Sequence, residues 1–244
     1  MARHSMDRLK TQAAIADAAG SSSLSPACRR AASAGMVDLR VLELLSARLC
    51  HELSGPIAAI NNGVELLADE DPVPGSPPDA GFIRDALALV GASARSARSR
   101  LQFYRFAYGY SRTAPSAGPA PHELARNFFD TSRIDCDCAD SIQFLSPAWQ
   151  KLACNLLPVG ADALPRGGRL TISDRPLRLE ATGESAALSP EAHASLILAM
   201  PVDELTARTV HAYFVGLLAK ALDCGVIVTA EPGRVGLTVI GAHR

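Results

Sequence analysis

Residues 83–108 place Ile83, Leu87, Val90, Ala94, Ala97, Leu101, Tyr104 and Tyr108 in alternating steps of four and three. That 3.5-residue period keeps one stripe of a helix turned to the same partner along its length, which demands a long packed helix and rules out a strand. Residues 37 to about 68 carry a second stripe, Leu42, Leu45, Leu49, Leu53, Pro56, Ile60, Val64 and Leu67. Between them, "DEDPVPGSPPDAG" at 69–81 is a Pro/Gly turn, with Pro78 and Asp79 as start signals for the second helix. Two helices cannot hide two such stripes by themselves, so a hairpin that pairs with a second copy into a dimeric four-helix bundle is predicted over 37–110.

A different architecture follows. "SRTAPSAGPAP" at 111–121 is a Pro/Ser/Gly linker, after which short apolar stretches alternate with helical ones over 122–244. Residues 1–36 are rich in Ala, Ser and Arg, lack a continuous apolar core and contain Asp7 and Asp17, so they read as a disordered leader with Met36 as an alternative start. Lysine plus arginine (24) nearly balances aspartate plus glutamate (25), which gives no support to nucleic acid or membrane as a partner. No run approaches the roughly 20 apolar residues of a membrane span. The six cysteines form no C-x-x-C pair, and Cys136 and Cys138 have no His or second Cys pair at ligand spacing. Reduced thiols, a cytoplasmic location and no metal site are therefore expected. Pro165-Arg166-Gly167-Gly168 reads as a turn and not a phosphate loop, because no Walker lysine follows.

The first helix contains "SARLCHELSGPIAAINNGVELL" (46–67). At about 100° per residue, His51 lies roughly 160° from the Leu49/Leu53 seam and faces solvent. Its neighbours at one to three turns include Ala47, Arg48, Ser54, Gly55, Ala58 and Asn62, most of them small, which leaves an open surface for another protein. Pro56 inside a helix forfeits a backbone hydrogen bond at a cost of roughly 3 kcal/mol.

"CHELSGPIAAI" resembles the H-box of the dimerisation and phosphotransfer domain of sensor histidine kinases, with His51, Glu52, Leu53 and Pro56 matching its histidine, acidic, aliphatic and proline positions. "WQKLACNLLPVGADALPRGGRLTIS" (149–173) is similar to that family's N-box helix and following strand. Asn155 matches the first N-box asparagine, but the second falls on Val159, which cannot ligate Mg²⁺. No Asp-x-Gly-x-Gly string occurs between 174 and 208, and the Gly-rich lid is also missing. A hairpin with an H-box, joined to an ATPase-like domain without its nucleotide residues, resembles the ChpT-type histidine phosphotransferases of alphaproteobacterial cell-cycle phosphorelays.

That resemblance implies an α+β fold, with the dimeric hairpin followed by a small α/β sandwich like a kinase ATP-binding domain. It implies phosphoryl transfer through His51, taken from the aspartyl phosphate of a hybrid kinase's receiver domain and passed to a response regulator. The chain would hold no cofactor, and the receiver would supply Mg²⁺. Glu52 is either a hydrogen-bond partner or base for His51, or a solvated surface carboxylate. Gly55 stands where phosphatase-competent kinases carry Thr or Asn, which implies slow dephosphorylation. Arg48, Ser54, Gly55, Ala58 and Asn62 are candidate docking contacts. Arg95 and Arg98 join them, because with Arg84 and Arg105 they form a basic stripe within about 80° of arc that would attract an acidic receiver. Two alternatives stay open: an ATP-dependent histidine kinase with a divergent pocket, and a non-catalytic dimeric scaffold.

Overall fold

A computed structural model describes residues 37–68, 80–109 and 118–241. The expected leader and most of the expected turn (69–81) and linker lie outside the described residues; Ala80 and Gly81 of that turn already belong to the second helix. The two heptad stripes form α1 (Leu39–Ala68) and α2 (Ala80–Tyr108), of 30 and 29 residues. They cross closely at Gly63, where a Cβ would stand 2.6 Å from the Val90 side chain. α1 continues through Pro56 without interruption.

The remaining elements are α3 (Pro121–Phe129), β1 (Ile134–Cys138), α4 (Pro147–Asp162), β2 (Gly168–Asp174), β3 (Leu177–Thr182), α5 (Pro190–Leu196), α6 (Val210–Ala221), β4 (Cys224–Glu231) and β5 (Arg234–Gly241). Short 3₁₀ turns occupy Asp140–Phe144 and Val202–Glu204. The strands form one sheet in the order β1-β2-β3-β5-β4, parallel between β1 and β2 and antiparallel elsewhere. Alternation sets its buried face: Leu170 and Ile172, Leu177 and Leu179, and Val235, Leu237 and Val239 all point into the core. The chain thus adopts the mixed α+β class that the resemblance implies.

α4 is buried continuously from Leu152 to Gly160 because it has neighbours on both sides. Toward the sheet, Gly160 sits so close to Leu170 and Leu179 that a Cβ would stand within 2.9 Å of both. On its other side lies the end of α2. The Asn155 amide donates to the carbonyls of Ala107 (2.9 Å) and Lys151 (2.8 Å). The Lys151 ammonium donates to the Gly109 carbonyl at 2.9 Å. A helix C-terminus presents unpaired carbonyls and a partial negative charge, and α4 answers it with an amide and a cation.

His211 of α6 closes this junction. It is fully buried, and its Nε2 donates to the Asn155 carbonyl at 2.9 Å, which leaves Nδ1 to accept from the Tyr108 hydroxyl at 2.9 Å. Burial, reinforced by the nearby Arg48 charge, lowers its pKa to about 3. A group depressed in the folded state contributes stability above its unfolded pKa that is lost as pH falls. Unfolding free energy should therefore drop by about 1.4 kcal/mol between pH 7.5 and pH 5.5 from this histidine, read as a lower urea midpoint. In His211→Gln that decrement should disappear, whatever the variant's own baseline.

Candidate functional site

His51 is exposed on the outer surface of α1, midway along the helix. Val41, Leu45, Arg48 and Gly63 define the buried face of α1, and His51 lies about 100° around the helix from it. Ser54, Gly55, Ala58 and Asn62 are all exposed on its flanks, as expected. A Cβ added at Gly55 would meet nothing within 4 Å, so the space beside the imidazole is open. The Ser54 hydroxyl turns back to the Cys50 carbonyl at 2.7 Å.

Arg48 is not a docking contact: only 8% exposed, it is part of the junction between hairpin and body. Its Nη2 forks onto both Asp162 carboxylate oxygens at 3.0 and 3.2 Å, and its Nη1 reaches the Arg208 carbonyl at 3.3 Å. Burial works against its charge, but Asp162 and the hydroxyls of Tyr104 and Tyr108 outweigh that and hold its pKa above the usual value. One turn short of His51, the helix phase brings Arg48 round to the body, which a seam read only from leucines does not reveal.

Glu52 also departs from expectation. Its carboxylate is ion-paired with Arg100 of α2 and not with the neighbouring imidazole. Successive helix residues point about 100° apart, so Glu52 turns toward α2 while His51 turns to solvent. The two arginines and Glu52 line a cleft of about 160 Å³ together with Tyr104, Phe128 and Asp162. Arg100 also lies over the Phe128 ring, 5.5 Å from its centroid. Burial first, and the Glu52 charge second, push the Tyr104 hydroxyl up to about 12. Arg100 was missed in the sequence because it falls outside the stripe of Arg84, Arg95, Arg98 and Arg105; its i+4 partner Tyr104 was the available signal.

Arg95 and Arg98 are exposed, but they lie roughly 140–160° around α2 from the side that carries Ala86, Ser93 and Arg100 and meets α1. The basic stripe is therefore not beside the histidine, and the α2 arginine that does reach α1 is Arg100, paired to Glu52.

The N-box-like helix has a structural role. Asn155 is fully buried in the hydrogen bonds to α2 already described, and its Oδ1 has no protein partner. Val159 is 1% exposed in the core. The glycine pair behaves as a turn: Gly167 N–H bonds the Leu164 carbonyl at 3.0 Å and Gly168 N–H the Arg133 carbonyl at 3.1 Å, so neither amide is free for a phosphate. Both have positive φ, and a Cβ on Gly168 would stand 2.3 Å from the Thr182 carbonyl oxygen. Among the described residues no group of three or more His, Cys, Asp or Glu is placed to hold a metal ion, and no helix is long and apolar enough to cross a membrane.

These placements separate two kinds of arginine. Arg48→Ala should lower unfolding free energy by about 2 kcal/mol, since it strands Asp162 and two backbone carbonyls but Asp162 can rehydrate. Arg95→Ala should change it by no more than about 0.5 kcal/mol. Urea titrations of both variants read the contrast.

Comparison with known proteins agrees with this geometry. The family model described as histidine phosphotransferase C-terminal domain matches residues 120–233. The protein phosphotransferase ChpT of Brucella abortus (strain 2308) is 33% identical over 202 residues, spanning 77% of this chain and 90% of that protein. A bacterial phosphotransferase structure at 1.7 Å superposes with a TM-score of 0.64 at 29% identity, over 84% of this chain and 98% of the other. An exposed histidine on a long hairpin, a body whose shape and sequence both match, and a relative covered across nine-tenths of its length lead to one assignment: the chain belongs to the ChpT-type histidine phosphotransferase family.

Proposed function

We propose that His51 is the residue through which this phosphotransferase relays the phosphoryl group, receiving it from a receiver-domain aspartyl phosphate and delivering it to the aspartate of a response regulator. The observation that carries the reading is the exposure of His51 on α1, among the exposed small residues Ser54, Gly55 and Ala58. Of the other described histidines, His211 is fully buried and bonded on both ring nitrogens, and His122 is largely buried beside Asp140. His193, on α5, is exposed but outside the hairpin.

The chemistry asks little of this chain. The lone pair of one ring nitrogen forms the N–P bond while the aspartyl O–P bond breaks, and its electron pair leaves with the carboxylate. The other ring nitrogen keeps its proton, and the reverse step hands the group on. Mg²⁺ belongs to the receiver's acidic site in this reading, and the in-line geometry is made when the two proteins dock. An open surface around His51 serves that docking, and Asn62 extends the same face.

The phosphate arrives from another protein and not from ATP. Two placements support this: the amide of Asn155 is spent on the α2 C-terminus, and the position of the second N-box asparagine is the buried Val159. The protein acts as a homodimer through a four-helix bundle. Support comes from Leu42, Ile57 and Val64 of α1 and Leu87 and Leu101 of α2, each 50–56% exposed within one chain. Those of α1 lie roughly 120–180° from His51, so a partner hairpin would cover them and leave the histidine free. The setting is a cytoplasmic phosphorelay that serves cell-cycle control.

Incubated with a phosphorylated receiver, the wild-type protein should acquire label on His51, and His51→Ala should acquire none. Labelled ATP with Mg²⁺ should give no label without a donor; label on His51 under those conditions would make the protein a kinase. Light scattering should give twice the 25.6 kDa chain mass, and Leu87→Glu with Leu101→Glu should halve it.

A further inference from the structure

The H-box carboxylate is present in this chain but is held by an arginine that the histidine's own helix does not supply. Glu52 is largely buried and paired with Arg100, whose guanidinium is itself fixed over the Phe128 ring. The charged or titratable groups that share the cleft with this pair are Arg48, Asp162 and Tyr104. Arg48 is committed to Asp162, so Arg100 is the cation that neutralises Glu52.

We propose that Arg100 is a positioning residue for phosphotransfer: by holding Glu52 on the α2 side of the hairpin, it keeps a bare carboxylate away from the His51 imidazole. The proposal rests on His51 as the phosphoryl carrier. A free carboxylate on the adjacent residue would oppose the reaction in two ways. It would favour the protonated imidazolium, which has no lone pair to attack phosphorus. It would also repel the incoming phosphoryl group, whose oxygens are negatively charged. The arginine offsets both effects and leaves the ring facing open solvent. In a protein that receives an already activated phosphoryl group, a base beside the histidine is dispensable, whereas access and a neutral field are not.

The test uses phosphoramidate as the donor, which needs no identified receiver. Its P–N bond breaks as the His51 N–P bond forms, and ammonia leaves. Arg100→Ala should slow phosphorylation of the full-length protein by at least about threefold at pH 7, the effect of one charge about 6 Å away in a water-like dielectric. The acid limb of its pH–rate profile should move up by about one unit. Adding Glu52→Gln to Arg100→Ala should restore both rate and profile, and Arg100→Lys should retain them. A role confined to packing against Phe128 would not be rescued by removing the Glu52 charge. An Arg100→Ala rate equal to wild type, or a double variant as slow as the single one, overturns the proposal. Phosphate mapped by mass spectrometry to a residue other than His51 would overturn both this proposal and the reading it rests on.

Discussion

The arrangement depends on how the end of α2 is satisfied. A 29-residue helix that terminates against a protein interior leaves carbonyls which water cannot reach, and each must find a donor or cost about 1–3 kcal/mol. α4 supplies those donors through Asn155 and Lys151, and α6 secures the same turn through His211 and Tyr108. Arg48 does the corresponding work for α1, reaching Asp162 at the end of α4 and the backbone ahead of α6. Around these polar contacts, Tyr104 packs edge to face against both Phe103 and Phe128 with ring centroids 5.6 Å apart, while Phe103 and Phe128 meet at a tilt of 31° with centroids 4.2 Å apart. The result is a hairpin seated on its α/β body by buried, directional bonds.

That seating explains the fate of the helix that resembles an N-box. In a nucleotide-binding domain such a helix lines an open pocket, and polar side chains there meet ligand and solvent. Here its polar residues point into protein and its apolar ones into the sheet, so the helix is buried on every side from Leu152 to Gly160. The same replacement of solvent by protein accounts for His211, which burial keeps uncharged far below the ordinary histidine range. A histidine in the body thereby acts as a hydrogen-bonded strut, whereas the one on α1 faces solvent. One residue type is buried in one setting and open in the other because its surroundings differ.

Much of the site was legible from residue spacing. Period 3.5 over 83–108 and the leucines of 42–67 predicted two long helices, and the phase of those leucines turned His51 outward. The small residues around it, Ser54, Gly55 and Ala58, are exposed as their positions implied. Charged residues were harder to place. Arg48 read as surface because it lies one turn from His51 on the helix, yet it is buried, where an ion pair with Asp162, 114 residues away, compensates its charge. Glu52 read as a neighbour of His51 because it is adjacent in sequence, but helix geometry separates adjacent side chains and joins those that face one another across a hairpin.

The sequence by itself determined the helical hairpin, the outward histidine and the loss of the second N-box asparagine, because period, phase and residue identity are local properties. Only the tertiary structure decided which arginine meets Glu52, that Asn155 caps α2 and that His211 is uncharged. Each of those depends on a partner distant in the chain, or on the exclusion of water by packing, and neither is encoded in the spacing of nearby residues.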